Sequence, residues 1–195
     1  MKSIDKTCIG LVSRVLAWVA GFLILASALI VSMDVLTRSV LRLTFFQSFE
    51  LSSYAFAASV SLGLAFTLIS RMHIRIEVVY VLFKPWMRAC LDLAAILTLA
   101  GTAVVFAWFA FQTVWYSWSI NSHSNTTLAM PLALPQGIWF GGLAWFAITA
   151  VWLFARAVLN LIRKRPQAIS REIGVLALQE EIDQSEITLD HSKNE

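Results

Sequence analysis

Four apolar stretches decide what this chain can become: Val15–Met33, Leu51–Ser70, Leu93–Ser122 and Leu132–Ala155. At about 1.5 Å per helical residue, each crosses or nearly crosses a hydrocarbon core of about 30 Å. Inside such a core no water completes backbone hydrogen bonds, so each segment must satisfy its own amides as a helix. The expected fold is all-α, an integral membrane protein with four transmembrane helices. Composition agrees: 58% of the 195 residues are hydrophobic and 14% charged, against about 25% charged in soluble domains. We read residues 1–165 as one four-helix transmembrane domain and 166–195 as a polar, acidic cytoplasmic tail. In that tail Ile169, Ile173 and Leu176 share one helical face. No room is left for a separate soluble catalytic domain.

Charge gives the orientation. Of the 15 Lys and Arg residues, only Arg38 and Arg42 fall in the first connection, and none falls between residues 123 and 131. The rest lie before span 1, between spans 2 and 3, or from residue 156 onward. The positive-inside rule then places both the N-terminus and the C-terminus in the cytoplasm. The net charge of +3 is an orientation signal, with lipid headgroups as its natural partner. No basic face with interleaved aromatic residues points to nucleic acid. Ala26-Ser27-Ala28 mimics a signal-peptidase site, but apolar residues run on to Met33. A signal peptide's apolar core is shorter, about 7–15 residues, so span 1 is expected to be retained.

The connections are informative. Leu93 to Trp118 would make a helix of about 39 Å, which must tilt or protrude. Trp115, Tyr116 and Trp118 would anchor it at the outer interface and Trp86 at the inner one. Residues 71–92 interleave apolar residues with charge, and Pro85 interrupts them. They predict an amphipathic inner-surface segment between helices 2 and 3. The outer connection is polar from Asn121 to Thr127 and then carries Pro131 and Pro135. Pro135 suits the first turn of helix 4, where a missing N–H is harmless.

Candidate chemistry is sparse. Spans 2 and 4 hold no histidine, acid or base between their ends, whereas transporters and proton pumps keep such groups near the midplane. Gly21, Gly63, Gly101, Gly141 and Gly142 read as packing contacts rather than unwound binding sites. Haem is disfavoured, since His73 and His123 fall at opposite membrane faces. No His, Asp and Glu spacing resembles a metal site, and the two cysteines, Cys8 and Cys90, form no C-x-x-C pair. The sequence therefore implies no cofactor and no enzyme activity. Asp34 and Arg38 stand four apart, on one helical face; they make either a helix-end ion pair or a contact to a partner subunit. Glu50 in a first turn suits the helix dipole, and Ser48 suits an N-cap. His73, Arg75 and Glu77 alternate with isoleucine in a membrane-surface pattern.

Together these features resemble the small membrane subunit of tripartite ATP-independent periplasmic (TRAP) transporters, the DctQ-like family. Asp34-Val35-Leu36-Thr37-Arg38 resembles the family's end of the first span. Ser48-Phe49-Glu50-Leu51-Ser52-Ser53-Tyr54 resembles its Ser/Thr-Glu-Glu-Leu-x-Arg-Tyr opening of the second. Phe49 and Ser53 depart from that pattern. His73-Ile74-Arg75-Ile76-Glu77 resembles its His-Ile-x-Ile/Val-Asp/Glu signature. The stretch from Leu128 through Pro131 to Pro135 resembles its Leu-x-x-Pro-x-x-x-Pro approach to the fourth span.

The resemblance implies an accessory, scaffolding subunit in the bacterial inner membrane. Its implied partners are a large multi-span membrane subunit, which moves substrate with sodium ions, and a periplasmic substrate-binding protein that delivers an organic acid. It also implies partner-facing roles for Asp34, Arg38 and Glu50 on the outer side, and for His73, Arg75 and Glu77 on the inner side. Pro131 and Pro135 would shape the outer turn. The competing reading is a membrane-anchor subunit of a respiratory enzyme complex, which a haem spectrum would reveal.

Overall fold

The computed structural model describes residues 7–41, 48–70, 85–126 and 128–162. They form four α-helices: α1 (Cys8–Leu41), α2 (Ser48–Ile69), α3 (Pro85–Ser119) and α4 (Ala133–Ile162). All four are long and apolar enough to cross a membrane. The expected inner-surface segment, including His73, Arg75 and Glu77, falls mostly outside the described residues, as does the acidic tail. The last part of that segment, from Pro85 to Asp92, belongs to α3.

Three helices, α1, α3 and α4, outrun their apolar stretches, and local chemistry explains the first two. α1 has 34 residues and continues past Met33 through Asp34 and Arg38, an i,i+4 pair of opposite charge that favours helix. α3 has 35 residues and begins at Pro85, whose ring pre-sets the helical φ. The proline that seemed to interrupt a segment instead starts a helix. At the far end of α3, Asn121 takes φ 49°, a left-handed conformation that asparagine tolerates. Ser122 N–H donates to the Ser117 carbonyl at 2.9 Å and Asn121 N–H to the Trp118 carbonyl at 3.2 Å. This pair of bonds is a Schellman cap, which satisfies two of the helix's last carbonyls.

The chain resolves into two compact units, residues 1–73 with 97–152, and residues 74–96 with 153–195. In the first, small side chains make most of the interior, with Leu62, Leu68, Leu143 and Phe146 buried among them. Ala58, Ser61, Leu62, Ala65 and Leu68 form a buried stripe on α2, joined by Ala20, Ala103, Ala110, Ala147 and Ala150. Many large apolar side chains point outward, among them Trp18, Phe22, Leu25, Phe56, Trp108 and Phe109. In lipid, tails solvate large side chains, while small ones let helix backbones approach.

Of the five glycines expected at packing contacts, Gly142 is the one in tight contact. A Cβ there would stand 2.6 Å from the Ser61 carbonyl carbon, whereas Gly21, Gly63, Gly101 and Gly141 have nothing within 4 Å. Polar ties complete this unit: Ser59 Oγ donates to the Ala20 carbonyl at 2.8 Å, and Trp145 Nε1 donates to Ser13 Oγ at 3.0 Å. The Phe111 and Phe140 rings, 5.6 Å between centroids, join α3 to α4. In the second unit the described residues are the start of α3 and the end of α4, with Asp92, Ile96, Leu153 and Ala157 buried.

Candidate functional site

The polar side chains near the start of α2 converge on two carboxylates. Asp34, on α1, is only 4% exposed. Its Oδ2 accepts from Ser48 Oγ at 2.6 Å and from Arg38 Nη2 at 3.0 Å. Ser48 therefore directs its proton across to α1, joining the two helices, where the sequence had marked it as an N-cap. Arg38 is paired with Asp34, as the ion-pair reading expects, yet its side chain stays 61% exposed. Among the described residues, Asp34 Oδ1 is buried with no hydrogen-bond partner.

Glu50 is 7% exposed. Oε1 accepts from Tyr54 Oη at 2.6 Å, one helical turn on. Oε2 accepts from Thr126 Oγ1, in the loop before α4. The helix dipole alone made Glu50 reasonable in a first turn; in the fold it also fastens a loop 76 residues distant in sequence.

That loop is built for rigidity. Ser124 N–H donates to the Met130 carbonyl at 2.9 Å, and Leu132 N–H to the Ser122 carbonyl at 3.0 Å. Between these bonds His123 and Pro131 form an isolated antiparallel bridge. They occupy the non-hydrogen-bonded pair of the ladder, so the proline's missing N–H costs nothing. Inside the loop, Ser124 and Thr126 hydroxyls lie 2.8 Å apart, Ala129 N–H donates to the Thr126 carbonyl at 3.0 Å, and Ala129 takes φ 44°. The Pro131 carbonyl accepts from Leu134 N–H, and the Leu132 carbonyl from Gln136 N–H. Pro135 sits in the first turn of α4, as the sequence predicts.

Asp34, Arg38 and Glu50 thus lie near the start of α2, and Pro131 shapes the loop that Glu50 holds. Thr126, Tyr54 and Ser48 complete the arrangement. Tyr54 was findable from its i,i+4 spacing to Glu50; Thr126 carries no sequence signal. Each carboxylate accepts one hydrogen bond from a residue four along its own helix and one from another element of the chain, an arrangement that holds shape.

The family model described as tripartite ATP-independent periplasmic transporters, DctQ component, matches residues 27–164. The chain belongs to the DctQ family. The match runs from within α1 to the end of α4 and contains every side chain of the carboxylate clusters. This DctQ protein is therefore a small membrane subunit of a TRAP transporter; its family is a transporter component and not an enzyme family. Proteins of the family function with DctM and DctP partners. Comparison with curated proteins and with solved structures gave no match.

Proposed function

We propose that this DctQ subunit is a fixed scaffold in the bacterial inner membrane, with both termini cytoplasmic. It supports a large, sodium-driven transport subunit and helps dock a periplasmic protein that delivers an organic acid. The observation that carries this reading is the face shown by α1. Val15, Trp18, Phe22, Leu25, Leu29, Leu36 and Val40 are all exposed and recur at spacings of three, four or seven residues. Such a row lies along one side of a helix and gives a long apolar seam to a neighbouring membrane protein. Gly21 borders a groove beside this seam with Trp18, Phe22, Leu25 and Phe66; a small residue there admits a closer helix.

The loop from Ser122 to Leu132 is the second element of the proposal. Glu50 and Pro131 hold it in one shape, so a soluble partner would meet a preformed surface, at lower entropic cost than a mobile one. His73, Arg75 and Glu77, on the opposite side by the charge rule, would set the inner segment against lipid or the large subunit. Family membership removes the respiratory-anchor reading.

The test is reconstitution. The tagged chain, extracted in mild detergent from its native membrane, should bring down a many-span partner in stoichiometric amount. Proteoliposomes holding both subunits and the binding protein should take up substrate only with an inward sodium gradient, and this chain alone should take up none. Uptake by this chain alone, or isolation without a membrane partner, would overturn the scaffold reading.

A further inference from the structure

An open groove of about 500 Å³ lies between the later part of α1 and the first turns of α2. Its walls include Val31, Val35 and Phe49, with Ser52 on α2 and the Asp34–Arg38 pair at one side. Phe49 is 85% exposed.

The sequence of chemistry along this groove follows depth in the membrane. Val31, Val35 and Arg38 lie at i, i+4 and i+7, hence on one helical face. The apolar run of span 1 ends at Met33, five residues before Arg38, an axial rise of about 7.5 Å. The headgroup zone beyond each side of the hydrocarbon core is about 5–7 Å thick. Val31 therefore stands at acyl-chain depth and the Arg38 guanidinium at the depth of lipid phosphates.

The guanidinium is set for an anion. It carries five N–H donors, of which the Nη2 group faces Asp34. The side chain remains 61% exposed, so among the described residues its other donors are open to a second acceptor. Asp34 does not compete for this position: it is buried and held inward by Ser48. It fixes the guanidinium, and fixed donors pair best with the oxygens of a phosphate.

We propose that this groove binds one glycerophospholipid, with its phosphodiester on Arg38 and an acyl chain along Val31, Val35 and Phe49. An acidic side chain from a partner protein would match the charge but not the apolar channel continuing beneath it. A phospholipid carries both parts on one molecule. The proposal needs no transporter partner, so it stands or falls separately from the scaffold reading.

The experiment is native mass spectrometry of the full chain, stripped of lipid in mild detergent and titrated with dioleoyl phosphatidylethanolamine. The comparison ligand is dioleoylglycerol, which has the same acyl chains and no phosphate. The unaltered chain should take one tightly bound phospholipid and bind dioleoylglycerol roughly tenfold more weakly. Arg38→Gln should weaken phospholipid binding by a similar factor, and Arg38→Lys should recover most of it. Val35→Trp, which fills the apolar channel, should also weaken it. Both positions are exposed to surroundings, and circular dichroism checks that each variant stays helical.

Equal binding of the two ligands would overturn the proposal. So would phospholipid binding that survives either Arg38→Gln or Val35→Trp unchanged. Unchanged lipid binding together with loss of a co-purifying membrane protein in Arg38→Gln would also overturn it, and assign the groove to that protein.

Discussion

Adding one methyl group at Gly142 should separate two helices. The Cβ of an alanine there would stand 2.5 Å from Ser61 Oγ, 2.6 Å from the Ser61 carbonyl carbon and 2.8 Å from Leu62 N. Comfortable carbon contacts lie at about 3.5–4.0 Å, so α2 and α4 would have to move apart by about 1 Å. Overpacking of this kind costs about 1–3 kcal/mol. The upper end applies, because two of the three atoms belong to backbone and cannot rotate away. Alanine's higher helix propensity returns about 1 kcal/mol. The net loss of about 2 kcal/mol corresponds to about a thirtyfold fall in the folding equilibrium. It should lower the melting temperature in detergent by about 4–8 °C for a chain of this size.

Gly141→Ala is the internal control. Its Cβ would meet nothing within 4 Å, so melting should be unchanged or slightly raised. Removing the Ser61 hydroxyl in a Ser61→Ala/Gly142→Ala double variant should not rescue stability, since the two backbone contacts remain. Thermal unfolding followed by tryptophan fluorescence reads all three variants. The reasoning fails if Gly142→Ala melts with the unaltered protein, or if Ser61→Ala restores it.

Asp34→Ala should destabilise by about 1–3 kcal/mol, because Ser48 and Arg38 lose a buried acceptor. Arg38→Gln should cost less than about 1 kcal/mol, since the guanidinium is mostly exposed; thermal melts should rank them in that order. Glu50→Gln and Thr126→Val should each speed amide hydrogen exchange at Ser124 and Leu132 while the exchange of α2 and α3 interiors stays unchanged; unaltered loop exchange would remove Glu50 as its fastener. Ser13→Ala should cost about 1 kcal/mol by leaving the Trp145 N–H without its acceptor, visible as a lower melting temperature, and no change would show that this contact adds nothing net.

The four helices were legible because hydrocarbon imposes a rule that composition alone can meet: about twenty apolar residues in a row. Helix ends were less so. Nothing about an apolar run says that α1 should continue through Asp34 and Arg38, or that Pro85 begins α3; both follow from pairing and φ preferences beyond the membrane core. The candidate site divides along the same line. The Asp34–Arg38 contact is local in sequence, four residues apart, and so was visible. Ser48 looked like a cap because it precedes a helix, yet its proton goes to Asp34 on another element. Thr126 on Glu50 is a long-range contact with no periodic trace. Gly141 and Gly142 are adjacent and chemically identical, and only the fold separates the one in contact from the one in open space.

The unequal helix lengths assign α2 a duty of its own. With 22 residues it measures about 33 Å, hardly more than the hydrocarbon it must cross. It can lean by no more than about 25° before its ends sink below the surface. α1 and α3, at 34 and 35 residues, have length to spare and would tolerate a wide range of depths. The short helix thus acts as the depth gauge of the subunit: it fixes how high the protein rides in the bilayer. The level of Glu50, and of the loop that Glu50 grips, is set by that gauge.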